Sequence, residues 1–142
     1  MKRIIALLGT LVLCLVVVPH AEAAETAKCT LSITPKDTEH DTTITVQCTP
    51  RAAGDRIDYV TVKGADWPDG DDTQKVCPAQ SLLWTRVIDS QLLNEDLSGD
   101  EIYVEARLRT PDARLYYVKT NEVSGRWGVN VYVGEPDCGH LP

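Results

Sequence analysis

Polar and apolar residues alternate without a break over residues 101–109. Ile102, Val104, Ala106 and Leu108 interleave with Glu101, Tyr103, Glu105, Arg107 and Arg109. A period of two marks a strand with one buried face and one wet face. Thr110-Pro111-Asp112-Ala113 follows, and its proline and aspartate suit a type I turn. A second apolar run begins at Leu115, and so short a turn makes the two strands antiparallel neighbours. The preferred register sets Thr110 opposite Ala113, Leu108 opposite Leu115 and Ala106 opposite Tyr117. A two-residue type I turn fits the twist of a hairpin poorly. A bulge that shifts the pairing by one, burying Tyr116 and Val118, is the alternative.

The same alternation appears twice near the start. Over residues 28–34, Cys29, Leu31 and Ile33 share one side, and Pro35 ends the run because it cannot donate to a ladder. After a charged loop, residues 42–48 place Ile44, Val46 and Cys48 together. One antiparallel register opposes Ile33 with Ile44, Leu31 with Val46 and Cys29 with Cys48. Opposed Cα atoms at a non-hydrogen-bonded position lie about 4.5 Å apart, within reach of a disulfide. The pattern therefore predicts Cys29–Cys48, which leaves Cys77 with Cys138.

Residues 56–63 are rich in β-branched residues around Tyr59. Residues 64–72 read as loop, with two glycines, a proline and four aspartates, and Cys77-Pro78 continues it. A strand-like apolar run resumes over residues 81–88. Residues 89–100 form a polar connection with room for one helical turn. Residues 121–125 read as a turn, and residues 126–133 as a last strand with Trp127, Val129, Val131 and Val133 on one side. About seven short strands with turn signals between them predict an all-β, antiparallel β-sandwich, with an open-ended barrel as the alternative.

The first residues carry a different pattern. Lys2 and Arg3 precede an apolar run over residues 4–18, and Ala21-Glu22-Ala23 offers small residues at a cleavage site. This predicts a secretory signal peptide over residues 1–23 and a single domain over residues 24–142. The run is shorter than the roughly twenty residues of a spanning helix, so no membrane insertion is expected. Cys29, Cys48, Cys77 and Cys138 then form an even set in a small exported chain, which reads as two disulfides and a secreted or periplasmic location. The net charge of −7 opposes nucleic acid and anionic lipid as partners.

Catalytic chemistry finds little support. Nucleophilic catalysis needs an activated Ser, Cys or Thr beside a base; the cysteines are expected to be oxidised, and His40 and His140 stand in no recognisable motif. The densest cluster is Asp66, Asp69, Asp71 and Asp72, whose hard oxygens make a candidate Ca²⁺ site, although the spacing is not that of an EF-hand. Trp67 lies inside this loop and is a candidate ligand-binding residue by stacking. No other cofactor is expected. The chain has no phenylalanine, so Trp84 and Trp127 are expected in the core.

Three pieces resemble the immunoglobulin-like superfamily, most closely a fibronectin type III module. Residues 42–62, TTITVQCTPRAAGDRIDYVTV, resemble its second and third strands. EIYVEARLRT resembles the penultimate strand, and TNEVSG the start of the last. The chain departs from the family in placing Tyr103 out of phase with Ile102 and Val104, and in lacking a cysteine in the 102–108 strand. The resemblance implies an immunoglobulin-like fold and a binding role. The expectation is a secreted, non-catalytic module for protein recognition or adhesion. Its alternatives are a carbohydrate-binding accessory domain using Trp67 and the acidic loop, and a peptidase inhibitor presenting a loop.

Overall fold

The structure is a computed structural model, and it describes residues 26–65, 73–94, 99–128, 138–139 and 142. The proposed signal segment 1–23, residues 66–72 of the expected acidic loop and residues 129–133 of the expected last strand lie outside these. The described residues form nine strands: β1 (Lys28–Thr34), β2 (Asp37–Thr38), β3 (Thr42–Thr49), β4 (Arg56–Gly64), β5 (Thr73–Pro78), β6 (Leu83–Ile88), β7 (Asp100–Arg109), β8 (Leu115–Lys119) and β9 (Val123–Trp127). One 3₁₀ turn, Ser90–Leu93, breaks the pattern, and the Asp89 carboxylate caps it by accepting the Gln91 N–H. The fold is all-β, in two sheets. The smaller runs β1-β3-β6; the larger runs β2-β9-β7-β4-β5, with β8 also on β7.

In the smaller sheet the hydrophobic alternation fixes the pairing. Cys29 faces Cys48, Leu31 faces Val46 and Ile33 faces Ile44, as predicted. Any slip by one residue would turn the whole apolar set to water. Cys29 and Cys48 are disulfide-bonded across this pair, with Cα atoms 4.0 Å apart. Val46 continues across the sheet to Trp84 on β6. The inner faces of both sheets share one core: Leu31, Ile44, Val46 and Trp84 meet Ile57, Val60, Val62, Ile102, Val104 and Leu108 in a single buried cluster. Trp84 and Trp127 are both buried, as expected for a chain without phenylalanine.

β7 is the strand on which the larger sheet is organised. It pairs along its length with β4. Its other edge is shared, with β9 against Asp100–Ile102 and β8 against residues 105–109. Between these two, Val104 exchanges bonds with Thr120: the Thr120 N–H donates to the Val104 carbonyl, and the Val104 N–H donates to the Thr120 hydroxyl, each at 2.9 Å.

The β7–β8 register corrects the preferred expectation. Leu108 faces Tyr116 and Ala106 faces Val118, so the bulged alternative is the one adopted. The reason lies in the turn. The Ala113 N–H bonds the Thr110 carbonyl at 2.9 Å and the Thr110 N–H bonds the Arg114 carbonyl at 2.9 Å, while Ala113 takes φ 65°. A type I turn followed by a left-handed residue makes a three-residue loop whose extra residue restores the twist.

Three loop expectations also change. Residues 73–78 form β5 on the outer side of β4 rather than continuing a loop. Residues 37–38 form β2, parallel to β9. The last strand begins at Val123, within the stretch expected to turn. The second disulfide joins Cys77 on β5 to Cys138, as elimination predicted. It brings Gly139 against the Val87 carbonyl and Ile88 of β6.

Candidate functional site

The outer faces of the two sheets differ in chemistry. That of the smaller sheet carries Thr30, Ser32, Thr43, Thr45, Gln47 and Thr85, an almost uncharged hydroxyl surface. That of the larger sheet carries tyrosine and arginine at its centre. The difference begins with a bulge in β4. Ile57 pairs with Leu108 and Tyr59 with Arg107, so Asp58 is the extra residue. A bulge lets the strand keep its inner face across an odd spacing. Ile57 and Val60 are both fully buried although they stand three apart. Asp58 and Tyr59 are both left on the outer side.

Two arginines of β7 close on the bulge. Arg109 grips Asp58 with two donors, Nε to Oδ1 at 3.2 Å and Nη2 to Oδ2 at 3.0 Å. Arg107 Nη2 donates to Oδ2 at 2.6 Å. Paired guanidinium donors match the two oxygens of a carboxylate. The Asp58 side chain keeps only 17% of its exposure. The hydrogen bond from Arg109 is the largest influence on the Asp58 carboxyl; burial opposes it, and the bond from Arg107 and both positive charges reinforce it, so its pKa falls below the ordinary carboxylate value. Burial works against the charge on Arg107, but Asp58 and the Tyr117 side chain outweigh it and raise its pKa.

Tyrosines flank this ion cluster. Cross-strand pairing sets Tyr59, Arg107 and Tyr117 in one row over β4, β7 and β8. The Arg107 guanidinium lies 4.3 Å from the Tyr59 ring centroid. Leu115 stands opposite Arg109 in the adjacent row. Tyr59 is 37% exposed, Leu115 46% and Tyr117 61%, so the row presents apolar area to solvent around a charged centre. Further along the face, Lys63 and Lys119 cover Tyr103, with Lys119 Nζ 3.8 Å from the ring centroid. This cover explains how an outward-facing tyrosine is only 3% exposed.

At the other end of the face lies an open recess of about 370 Å³, lined by Arg56, Asp58, Tyr59, Pro78, Gln80 and Arg109 among others. Arg56 and Arg109 are cross-strand partners. β4 thus begins beside the recess and ends at Gly64, from which the acidic loop departs. Asp58 and Gly64 are six strand positions apart, roughly 20 Å, so the recess lies at the opposite end of β4 from Gly64.

The sequence-predicted site residues Asp66, Trp67, Asp69, Asp71 and Asp72 lie outside the described residues, as does His140. His40 is exposed between β2 and β3. Glu105, Arg107 and Arg109 read in the sequence as a plain solvated face, but the structure gathers the two arginines on Asp58. The available signal was the odd spacing of Ile57 and Val60 in RIDYVTVK, which calls for an extra residue between them. No family model matches the chain, and neither does any curated protein or solved structure.

Proposed function

We propose that this chain is an exported, non-catalytic module that recognises a protein through the outer face of its larger sheet. Its architecture is read as an immunoglobulin-like sandwich, loosely of the fibronectin type III kind. The strand order supports that reading: β1-β3-β6 lies against β5-β4-β7 with β8 and β9 along the far edge of β7. Two disulfides and the apolar N-terminal segment support export.

The observation that carries the function is the Tyr59–Arg107–Tyr117 row with Leu115 beside it. Tyrosine and arginine are enriched in protein interfaces and among the residues that dominate their binding energy. A bidentate bond to Asp58 holds Arg109 in place, and Arg107 is fixed between Asp58 and the Tyr59 ring, so little side-chain freedom remains to be lost on binding. The face is borne on strands and its recess is open, which suits a partner surface rather than an enclosed substrate. Its mix of ionic and aromatic groups favours protein over glycan.

The test is site-specific photo-cross-linking in the native exporting cell. A photoreactive residue at Tyr117 should yield discrete protein adducts, and one at Thr45 on the opposite face should not. Tyr117→Ala should weaken capture by at least about fivefold, equivalent to about 1 kcal/mol, with an unchanged melting temperature. Equal adducts from both positions, or glycan in place of protein, would overturn the reading.

A further inference from the structure

We propose that the recess beside Arg56 is a carboxylate pocket that receives an aspartate or glutamate side chain of the protein partner. This deepens the reading of the larger sheet's outer face and rests on it. Arg56 and Arg109 stand directly opposite each other on β4 and β7. Like charges in that position destabilise a sheet, and a bound anion offsets the repulsion.

Asp58 does part of this already, but for Arg109 and Arg107 rather than for Arg56. It engages Nε and Nη2 of Arg109 and Nη2 of Arg107. Among the described residues, no hydrogen bond or ion pair engages the Arg56 side chain. Asp58 thus answers Arg109 and Arg107, and Arg56 borders the same recess as a further positive charge, in a chain whose net charge is −7. The recess concentrates positive charge where the rest of the chain repels an acidic partner, which steers and orients that partner.

The walls narrow the ligand class. Arg56 and Arg109 border the recess together with Tyr59, Pro78 and Gln80. The planar fork of Arg56 matches one carboxylate. Tyr59 and Pro78 offer apolar surface for a methylene stem, and Gln80 offers donors and an acceptor for a peptide backbone. Asp58 inside the recess disfavours a dianion such as phosphate more than a single carboxylate.

The experiment is an NMR titration of the ¹⁵N-labelled, disulfide-bonded chain with acetylated, amidated pentapeptides. One carries a central glutamate between tyrosine and leucine, and its twin carries glutamine. The glutamate peptide should shift the Nε–H resonances of Arg56 and Arg109. The glutamine peptide, and Arg56→Gln with the glutamate peptide, should each bind about tenfold more weakly or worse. Arg56→Lys, which keeps the charge and loses the fork, should fall between. Inorganic phosphate at equal concentration should not displace the peptide. Absence of peptide binding, equal binding of the twin, displacement by phosphate, or indifference to Arg56→Gln each overturns the pocket. The cross-linking at Tyr117 reads the face separately. Adducts there without a glutamate-dependent shift at Arg56 leave the face standing and remove the pocket.

Discussion

Asn121 treats Leu31 as a strand neighbour would. Its Oδ1 accepts the Leu31 backbone N–H at 2.9 Å, and its Nδ2 donates to the Leu31 carbonyl at 3.1 Å. Leu31 lies on β1, at the edge of the smaller sheet, and Asn121 joins β8 to β9 in the larger one. One side chain therefore completes an edge ladder and ties the two sheets across 90 positions of sequence. Leu31 is buried, so its backbone groups find no ready substitute in water. Asn121→Ala should cost about 1–3 kcal/mol, the penalty of stranding buried polar groups. Glu122→Ala, which removes only a surface contact with Lys119, should stay within about 0.5 kcal/mol. Urea denaturation of the two variants decides, and equal midpoints would deny Asn121 this role.

The β7–β8 turn makes the opposite kind of prediction, a gain. Ala113 holds φ 65°, where a side chain meets the following carbonyl and glycine does not. Its backbone bonds do not depend on the methyl group. Ala113→Gly should stabilise the protein by roughly 0.5–1 kcal/mol, since relief of strain exceeds the added freedom of the unfolded chain. Ala113→Val should destabilise it. A lower denaturation midpoint for the glycine variant would count against the three-residue loop.

This turn also shows where the sequence stops being legible. The β1–β3 register could be read because three facing pairs, one of them cysteine, agree on it. At Ala113 no glycine or asparagine marks the left-handed position, so nothing in the composition announces the extra residue. The side of β8 that faces the core therefore stayed ambiguous. The candidate site also depends on an inserted residue, marked only by the odd spacing of Ile57 and Val60. Alternation alone places Arg107 and Arg109 on a wet face, but only the bulge at Asp58 supplies their shared carboxylate. β5 carries too short an apolar run to stand out from the loop before it. Registers set by hydrophobic facing are visible in a sequence; a single inserted residue is visible only where it breaks the spacing of buried positions, as between Ile57 and Val60, and not where it falls in a turn, as at Ala113.

The Asp58 cluster has a pH signature. Its carboxyl is held below the ordinary carboxylate range, chiefly by the Arg109 hydrogen bond. A depressed folded-state pKa contributes stability that is full above the unfolded value and is lost as pH falls through the folded value. Acid unfolding of the wild type should therefore steepen just below the ordinary carboxylate range, and Asp58→Asn should lose that part of the slope. The alkaline side carries the opposite sign. Burial, and the hydrogen bond to Asp55 at 2.6 Å, raise the Tyr116 pKa. That contribution is full below the ordinary phenol value and is lost as pH rises through the raised one, so Tyr116→Phe should flatten the alkaline limb. Superimposable pH profiles for wild type and Asp58→Asn would mean that the arginines do not hold the carboxylate in solution.

The two disulfides do different work and should fail differently. Cys29–Cys48 spans 19 positions and Cys77–Cys138 spans 61, so loop-closure entropy assigns them about 3 and about 4 kcal/mol. The first joins facing residues of strands already paired along seven positions. Replacing both its cysteines by serine should lower stability and leave the sheet closed. The second anchors Gly139, which lies against Val87 and Ile88 of β6, an outer strand of the smaller sheet. Its loss should cost more stability and also uncover a strand edge, which is a template for pairing with another chain. The Cys77→Ser, Cys138→Ser variant should therefore show a lower denaturation midpoint together with concentration-dependent light scattering below that midpoint. The Cys29→Ser, Cys48→Ser variant should show only the first effect. Scattering from both variants alike would attribute self-association to general destabilisation and not to the edge of β6.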